Sequence, residues 1–264
     1  MSKILCIARI AWLDMLRRKD AYVLLILLGA LLVALASLNI FGLGGLTVYV
    51  KDVGLLATWL FGWILGAHVA CRGLPQEEQR GTVYALLAKP VTRGQLVVGK
   101  WLGAWSVTMA ATVAFYALVA AIVLLRGGMA ALGGPALFQG MLLHGVALAM
   151  LCALGLLCST RLHQDAAAAL TYVLSAGAFV LLPRLPGLLA QARGAQGILL
   201  SFVYHVLPHF QLFDMRKRIV HNWGPTDTPA LLQVALYGAV YTAFLLVAAW
   251  LAYRNKRFGR ENLL

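Results

Sequence analysis

Charged residues are scarce in this chain, and their scarcity excludes an ordinary water-soluble domain. Only 12% of its 264 residues are Asp, Glu, Lys or Arg, whereas 62% are apolar. A soluble domain of this size carries about twice that charged fraction. The few charges are gathered between long apolar runs, an arrangement that is typical of a chain whose solvent is lipid.

Acidic residues are the rarest charges, with 9 Asp and Glu against 22 Lys and Arg. A net charge of +13 can indicate nucleic-acid binding. Basic residues between membrane spans, however, follow from the positive-inside tendency, so we predict no nucleic-acid partner.

Cysteines are also few. Cys6, Cys71, Cys152 and Cys158 show no pairing pattern, which favours structural thiols over disulfides.

Long apolar runs are abundant and predict an all-α, polytopic membrane protein with six transmembrane helices. About 20 residues cross a hydrocarbon core that is about 30 Å thick. The predicted spans are 21–41, 53–71, 101–125, 137–159, 166–182 and 231–253. None of these spans contains Asp, Glu, Lys or Arg, whereas ion-coupled carriers bind their driving ion through such residues near mid-membrane. This absence argues against a secondary carrier.

The basic residues predict the orientation of the chain in the membrane. With both termini cytoplasmic, 15 of the 22 Lys and Arg residues fall in inner segments. Five of the remaining seven lie in one long outer segment, where the charge rule weakens. We therefore predict a multi-pass protein with both termini in the cytoplasm.

Two segments outside the predicted spans are expected to be helical at the membrane surface. Residues 1–20 place Ile4, Ile7 and Trp12 on one face and cations off it, which predicts an amphipathic helix in the inner interface of the bilayer. The alternative is a cytosolic helix that packs on a partner subunit. The outer segment, 184–230, contains the apolar run ILLSFVYHVL, which is too short to span and predicts a partly helical segment at the outer interface.

The inner segment between the second and third predicted spans carries the signals of one short helix, 76–88. Pro75 suits a first helical turn, Glu77 and Glu78 suit the positive end of the helix dipole, and Pro90 ends the helix. A helix held there can transmit force from a soluble partner into the membrane. An ordinary structured loop explains the same pattern equally well.

The run EEQRGTVYALLAKPVTRGQLVVGK resembles the signature of ABC type-2 (ABC-2) permeases, the membrane subunits of ABC exporters. The matching positions are Glu78, Gly81, Thr82, Leu86, Leu87, Pro90, Val91, Thr92, Arg93, Gly99 and Lys100. Many members carry an acidic residue where Tyr84 stands. The run LPHFQLFDMRKR is similar to the outer segment of permeases for multicopper-enzyme maturation, including the nitrous-oxide reductase accessory permease.

This resemblance implies a half-transporter in the inner membrane of a bacterium. Such a permease forms a dimer, expected here to be a homodimer, and binds two ABC ATPase subunits that hold ATP and Mg. A periplasmic accessory protein is a further candidate partner. The implied ATPase-coupling residues are Gln76, Glu77, Glu78, Gly81, Thr82, Tyr84, Leu86 and Leu87, while Arg93 and Lys100 are expected to anchor the return into the bilayer at lipid phosphates.

We predict no catalytic residue, metal or cofactor in the chain itself. Gly94, Gly99 and Lys100 nearly spell a phosphate-binding loop, but Trp101 stands where a Mg²⁺-binding Ser or Thr is needed. A membrane-embedded enzyme remains an alternative, and His163 and Asp165 are its nearest catalytic pair. The function that the resemblance implies is export of an amphipathic or lipid-linked cargo, or mechanical signalling across the membrane, driven by ATP hydrolysis in a partner.

Three further patterns have both a functional and a structural interpretation. Three histidines near one another in the outer segment suggest a copper site, but Pro208 interrupts the helix that would align two of them. Gly62 and Gly66 suit either a dimer contact or packing within one subunit. The cations 216–218 suit either an anionic substrate or a solvated turn.

Overall fold

The computed structural model describes residues 3–17, 20–37, 46–79, 81, 92–190, 192, 194–254 and 256. Within these residues every regular element is helical, so the all-α prediction is confirmed. The α-helices, numbered in chain order, are α1 Lys3–Arg17, α2 Asp20–Ser37, α3 Leu46–Arg72, α4 Pro75–Gln79, α5 Arg93–Leu132, α6 Gly134–Ser159, α7 Gln164–Leu181, α8 Leu185–Leu189, α9 Ala195–Val206, α10 Arg216–Val220 and α11 Thr228–Arg254. Helix α5 is interrupted by a kink at Gly128, which has φ 68°.

Five helices in the described part of the chain are long and apolar enough to cross a membrane. They are Thr47–Gln79, Arg93–Leu125, Gly134–Ser159, Gln164–Leu189 and Thr228–Arg254. The predicted first span, 21–41, extends beyond the described residues, and α2 covers its part up to Ser37. Six crossings therefore stay a prediction. We call the end of the bundle that carries α4 the inner end and the opposite end the outer end, following the predicted topology.

Helix α6 lies at the centre of the bundle and is the most buried of these five. Its sequence is apolar on all sides, which is expected of a helix that other helices surround. Helices α3, α5, α7 and α11 pack around it. Small residues bring the backbones close together: a Cβ added at Gly155 would lie 3.1 Å from the Cβ of Ala70 and the Sγ of Cys71.

Helices α7 and α11 lie at the periphery of the bundle and expose apolar side chains. Leu236, Val240 and Phe244 of α11 are all largely exposed, as is Val173 of α7. Contiguous apolar surface of this extent suits contact with lipid or with another membrane subunit.

The outer end is closed by turns and by a buried lysine. Lys51 lies inside α3, not in a loop as the spacing of the spans predicts, because α3 begins at Leu46. Its side chain is 3% exposed, and its Nζ donates to the Ala131 carbonyl oxygen at 2.7 Å and to Asn222 Oδ1 at 2.8 Å. Asn222 has φ 52°, a left-handed conformation that Asn tolerates better than most residues. One ammonium group therefore joins α3, the end of α5 and the turn after α10.

The predicted outer segment, 184–230, contains α8, α9 and α10, and the run ILLSFVYHVL falls largely within α9. The side chain of Gln139 in α6 binds the backbone of this segment. The Gln139 amide donates to the Thr226 carbonyl oxygen at 3.0 Å and accepts from the Thr226 backbone N–H at 2.8 Å.

Helix α1 packs along the first turns of α5. Ile7 and Ala8 are buried, and Trp12 Nε1 donates to Ser106 Oγ at 2.9 Å. Gly99 permits this approach, since a Cβ there would lie 2.9 Å from the Cβ of Ile7. On the other side of α1, apolar residues such as Leu5 and Leu13 stay exposed, as in helices that lie at a membrane interface.

A Gly99→Ala substitution is expected to loosen α1 from α5, because the added methyl group overlaps Ile7 and lies 3.3 Å from the Ile4 carbonyl oxygen. Limited trypsin digestion of the purified protein should then cleave faster at the exposed Arg9. Gly94→Ala, in the first turn of the same helix, is the matched control because its methyl group would make only ordinary contact with Trp250, at 3.4 Å. Equal cleavage rates in the two variants would contradict the packing role of Gly99.

Candidate functional site

Helix α4 follows α3 after a two-residue turn and marks the inner end of the bundle. Pro75 occupies its first position, where a missing N–H costs nothing. The predicted helix 76–88 does not run unbroken: α4 ends at Gln79, and Gly81 has φ 68°, a left-handed conformation that a right-handed helix cannot contain. Thr82, Tyr84, Leu86 and Leu87 lie outside the described residues.

Glu77 binds α4 to α5. Its carboxylate forms an ion pair with Lys100, whose side chain is 8% exposed, in the second turn of α5. A buried pair of this kind is costly to break, since the partner that remains keeps a desolvated charge. The contact therefore fixes α4 against the start of α5.

Glu78 binds α4 to the end of α11, through a residue distant in sequence. Lys256 Nζ donates to the two carboxylate oxygens of Glu78 at 2.7 and 2.9 Å. The same ammonium donates to the Thr160 carbonyl oxygen, just after α6, at 3.0 Å. One lysine therefore connects α4, the end of α6 and the end of α11.

Arg93 completes this arrangement by capping α11. Its guanidinium donates to the carbonyl oxygens of Tyr253 and Lys256, each at 3.1 Å, and to that of Arg254. Carbonyls at a helix C-terminus lack intrahelical partners and carry partial negative charge, so a cation there is favourable. Thr92 forms a capping box with Gln95, which sets the start of α5 and hence the position of Arg93.

An apolar cluster lies within the bundle at this inner end. Its buried members are Ile7, Leu74, Leu96, Val97, Leu156, Ala249 and Tyr253. They come from α1, the turn before α4, α5, α6 and α11. Leu74, which directly precedes α4, is therefore packed against residues of four other helices at this end.

The structure thus brings together Glu77, Glu78, Arg93 and Lys100, four of the residues that the sequence singles out. Arg93 and Lys100, which were expected to bind lipid phosphates, bind groups of the chain itself. Glu77 and Glu78, which were expected to contact a partner subunit, form ion pairs within the chain. Gln76 is partly exposed and Gln79 is exposed. Sequence reasoning missed Lys256 and Thr160, since nothing in a single sequence connects them to Glu78.

His209 and Arg216 of the outer segment bind neighbouring side chains of the chain. No group of three His, Cys, Asp or Glu residues in the described ranges is placed to hold a metal ion. The His209 ring contacts the Tyr237 hydroxyl at 3.1 Å, and burial lowers the pKa of His209, with His205 nearby lowering it further. Arg216 forms two hydrogen bonds with the Asp214 carboxylate, at 2.9 and 2.7 Å.

Gly62 and Gly66 lie within α3 and face side chains of the same chain. A Cβ at Gly62 would lie 3.2 Å from His144 and from Thr112, and one at Gly66 would lie 3.3 Å from Thr108. Packing within one subunit therefore accounts for both glycines. Residues 94–100 belong to α5, so their backbone does not form the open loop that cradles a phosphate.

Comparison with known proteins identifies one family. The model of the family described as ABC-2 family transporter protein matches residues 6–263, nearly the whole chain. No curated protein matches the chain.

Proposed function

The chain belongs to the ABC-2 transporter family, whose members are membrane subunits that leave ATP hydrolysis to a partner, and on this premise we propose that α4 and the residues after it couple that hydrolysis to movement of the bundle. The chain itself is a multi-pass membrane protein and not an enzyme. In the proposed assembly two copies of the chain bind two ATPase subunits at the inner end, on the cytoplasmic side of a bacterial inner membrane.

The observation that carries this proposal is the anchoring of α4. Its two carboxylates bind Lys100 of α5 and Lys256 beyond α11. A force applied to α4 by a docked subunit would therefore reach the ends of several long helices instead of being absorbed in a free loop. We assign docking to the exposed Gln79 and to the stretch 82–88, which lies outside the described residues.

The proposed cargo is amphipathic or lipid-linked, and mechanical signalling to an outer partner is the second form of the same proposal. The predicted spans offer no charged side chain to a hydrophilic solute. The peripheral helices α7 and α11 expose apolar side chains along their length. The sequence match to one family of ATP-driven transporters favours these functions over an ATP-independent carrier.

Photo-crosslinking tests where the ATPase docks. A photoreactive amino acid at position 79 or 84 should capture a subunit that mass spectrometry identifies as carrying a phosphate-binding loop. The same amino acid at position 188, which is exposed in α8 within the predicted outer segment, is the control and should capture none. Capture from position 188 alone, or from no position although an ATPase co-purifies, would refute docking at this site.

A further inference from the structure

We propose that the ion pair between Glu78 and Lys256 is a positioning link that carries the movement of α4 to α11, the last helix of the bundle. The inference rests on the proposed function, because it assumes that an ATPase moves α4. It adds the route by which that movement reaches a span distant in sequence.

The link is long-range in sequence and direct in space. Glu78 and Lys256 are 178 positions apart, yet both carboxylate oxygens accept from the same ammonium, at 2.7 and 2.9 Å. Along the chain, helices α5 to α10 separate α4 from α11. Among the described residues, this pair is the salt bridge that connects the two.

Lys256 is held firmly to α11, so a force on its side chain acts on the helix. Its backbone N–H donates to the Tyr253 carbonyl oxygen at 3.2 Å. Its own carbonyl oxygen accepts from Arg93, which also binds the carbonyl oxygens of Tyr253 and Arg254. Tyr253 is fully buried in the apolar cluster of the inner end. Lys256 is therefore an extension of α11 and not a loose tail.

The two ion pairs of α4 differ in burial, and this difference separates their roles. Lys100 and Glu77 are 8% and 15% exposed, and their pair joins segments that are neighbours along the chain. Glu78 and Lys256 are 21% and 23% exposed. Water reaches this second pair, so it adds less to stability and can break and re-form. Its loss should disturb the transmission of movement more than the folding of the chain.

Lys256 also binds a backbone oxygen at the end of α6, relative to which its ammonium can move. The ammonium also donates to the Thr160 carbonyl oxygen, at the end of the central helix α6. If α4 shifts, Glu78 draws the ammonium away from or toward this oxygen, and the end of α11 must follow because Lys256 is anchored to it. Helix α7 contributes no buried residue to the apolar cluster of the inner end, so it is not tied to α11 there, and the distance between the two helices reports their movement relative to each other.

The experiment uses the chain in complex with its ATPase, reconstituted in lipid nanodiscs. Spin labels replace Leu232 of α11 and Val173 of α7, both exposed, in a Cys6→Ser background, since Cys6 is the exposed cysteine. Electron–electron resonance measures the distance between the labels with and without ATP. The variants are Glu78→Gln, Glu78→Lys, Lys256→Glu and the exchanged pair Glu78→Lys with Lys256→Glu. Arg254→Glu, an exposed cation at the same end of α11, is the charge-matched control.

We expect ATP to change the label distance in the parent protein and in Arg254→Glu. The change should be lost in each single variant at position 78 or 256 and return in the exchanged pair, while the ATPase co-purifies with all of them. An unchanged ATP response in the single variants, with the ATPase bound, would overturn the link and leave the proposed function standing. Failure of the exchanged pair to restore a lost response would overturn the pairing. If no ATPase co-purifies even with the parent protein, the proposed function fails, and the link fails with it.

Discussion

Replacing Gly238 with Val is expected to lower the free energy of unfolding by about 3 kcal/mol, because the new side chain has no room between α11 and α6. A Cβ added there would lie 2.9 Å from Phe213 Cζ and would contact Val146 Cγ1 more closely still. Phe213 is fully buried and Val146 is a stiff β-branched residue, so neither neighbour can yield cheaply. Thermal unfolding of the purified protein in detergent measures the effect.

Gly177→Val is the matched control for this prediction. Gly177 also lies inside a long helix, α7, but a Cβ there meets no atom within 4 Å. The control variant should unfold at the temperature of the parent protein or slightly above it, since Gly is the poorer helix former. If both variants lost stability equally, a general cost of placing valine in these helices, and not close packing at position 238, would explain the loss.

The second large effect is expected at Lys51. Lys51→Met keeps the apolar stem but leaves the Ala131 carbonyl oxygen and Asn222 Oδ1 without their donor. Each buried acceptor that loses a charged donor costs about 1–3 kcal/mol. Because the ammonium joins α3 to two segments that lie far away in sequence, the loss should appear as early opening of the outer end. Hydrogen exchange of residues 128–134 and 219–224, measured by mass spectrometry, should accelerate.

Lys217→Met separates this effect from a change in net charge. Lys217 lies at the same end of the bundle but is exposed. Its loss removes the same charge and should leave hydrogen exchange at the outer end unchanged. Equal acceleration in both variants would show that the overall charge, and not the buried contact, holds the outer end closed.

Hydropathy was sufficient to predict an all-α chain with several helices that are long and apolar enough to cross a membrane. In lipid every backbone group must be satisfied within the helix, so span length and composition are tightly constrained. Helix ends were less predictable. The structure begins α3 at Leu46, seven residues before the predicted start, and encloses Lys51, which a count of charges assigns to a loop. A lysine can enter the bundle there only because oxygens supplied by residues 131 and 222 receive it.

Several residues named from the sequence lie together at the inner end, but their contacts were not predicted, and their role in coupling stays a prediction. The family signature directed attention to Glu78, Arg93 and Lys100, and the structure places all three at the inner end. Their partners could not be predicted, since Lys256 lies 178 positions from Glu78. The basic residues around Lys256 are also typical of an inner segment that follows a membrane span. Local propensity also could not foresee that Gly81 adopts a left-handed conformation, which prevents one continuous helix over 76–88.

The burial of α6 restricts the kinds of movement open to this transporter subunit. Four long helices touch α6, so displacing it would disrupt all of those interfaces at once. Close-packed interiors of this kind resist gradual deformation. Helix α6 should therefore stay nearly stationary through each ATP cycle, with the sparsely covered α7 and α11 turning about it. Substitutions that adjust the working cycle without harming assembly should accordingly be found on those two peripheral helices and be rare on α6.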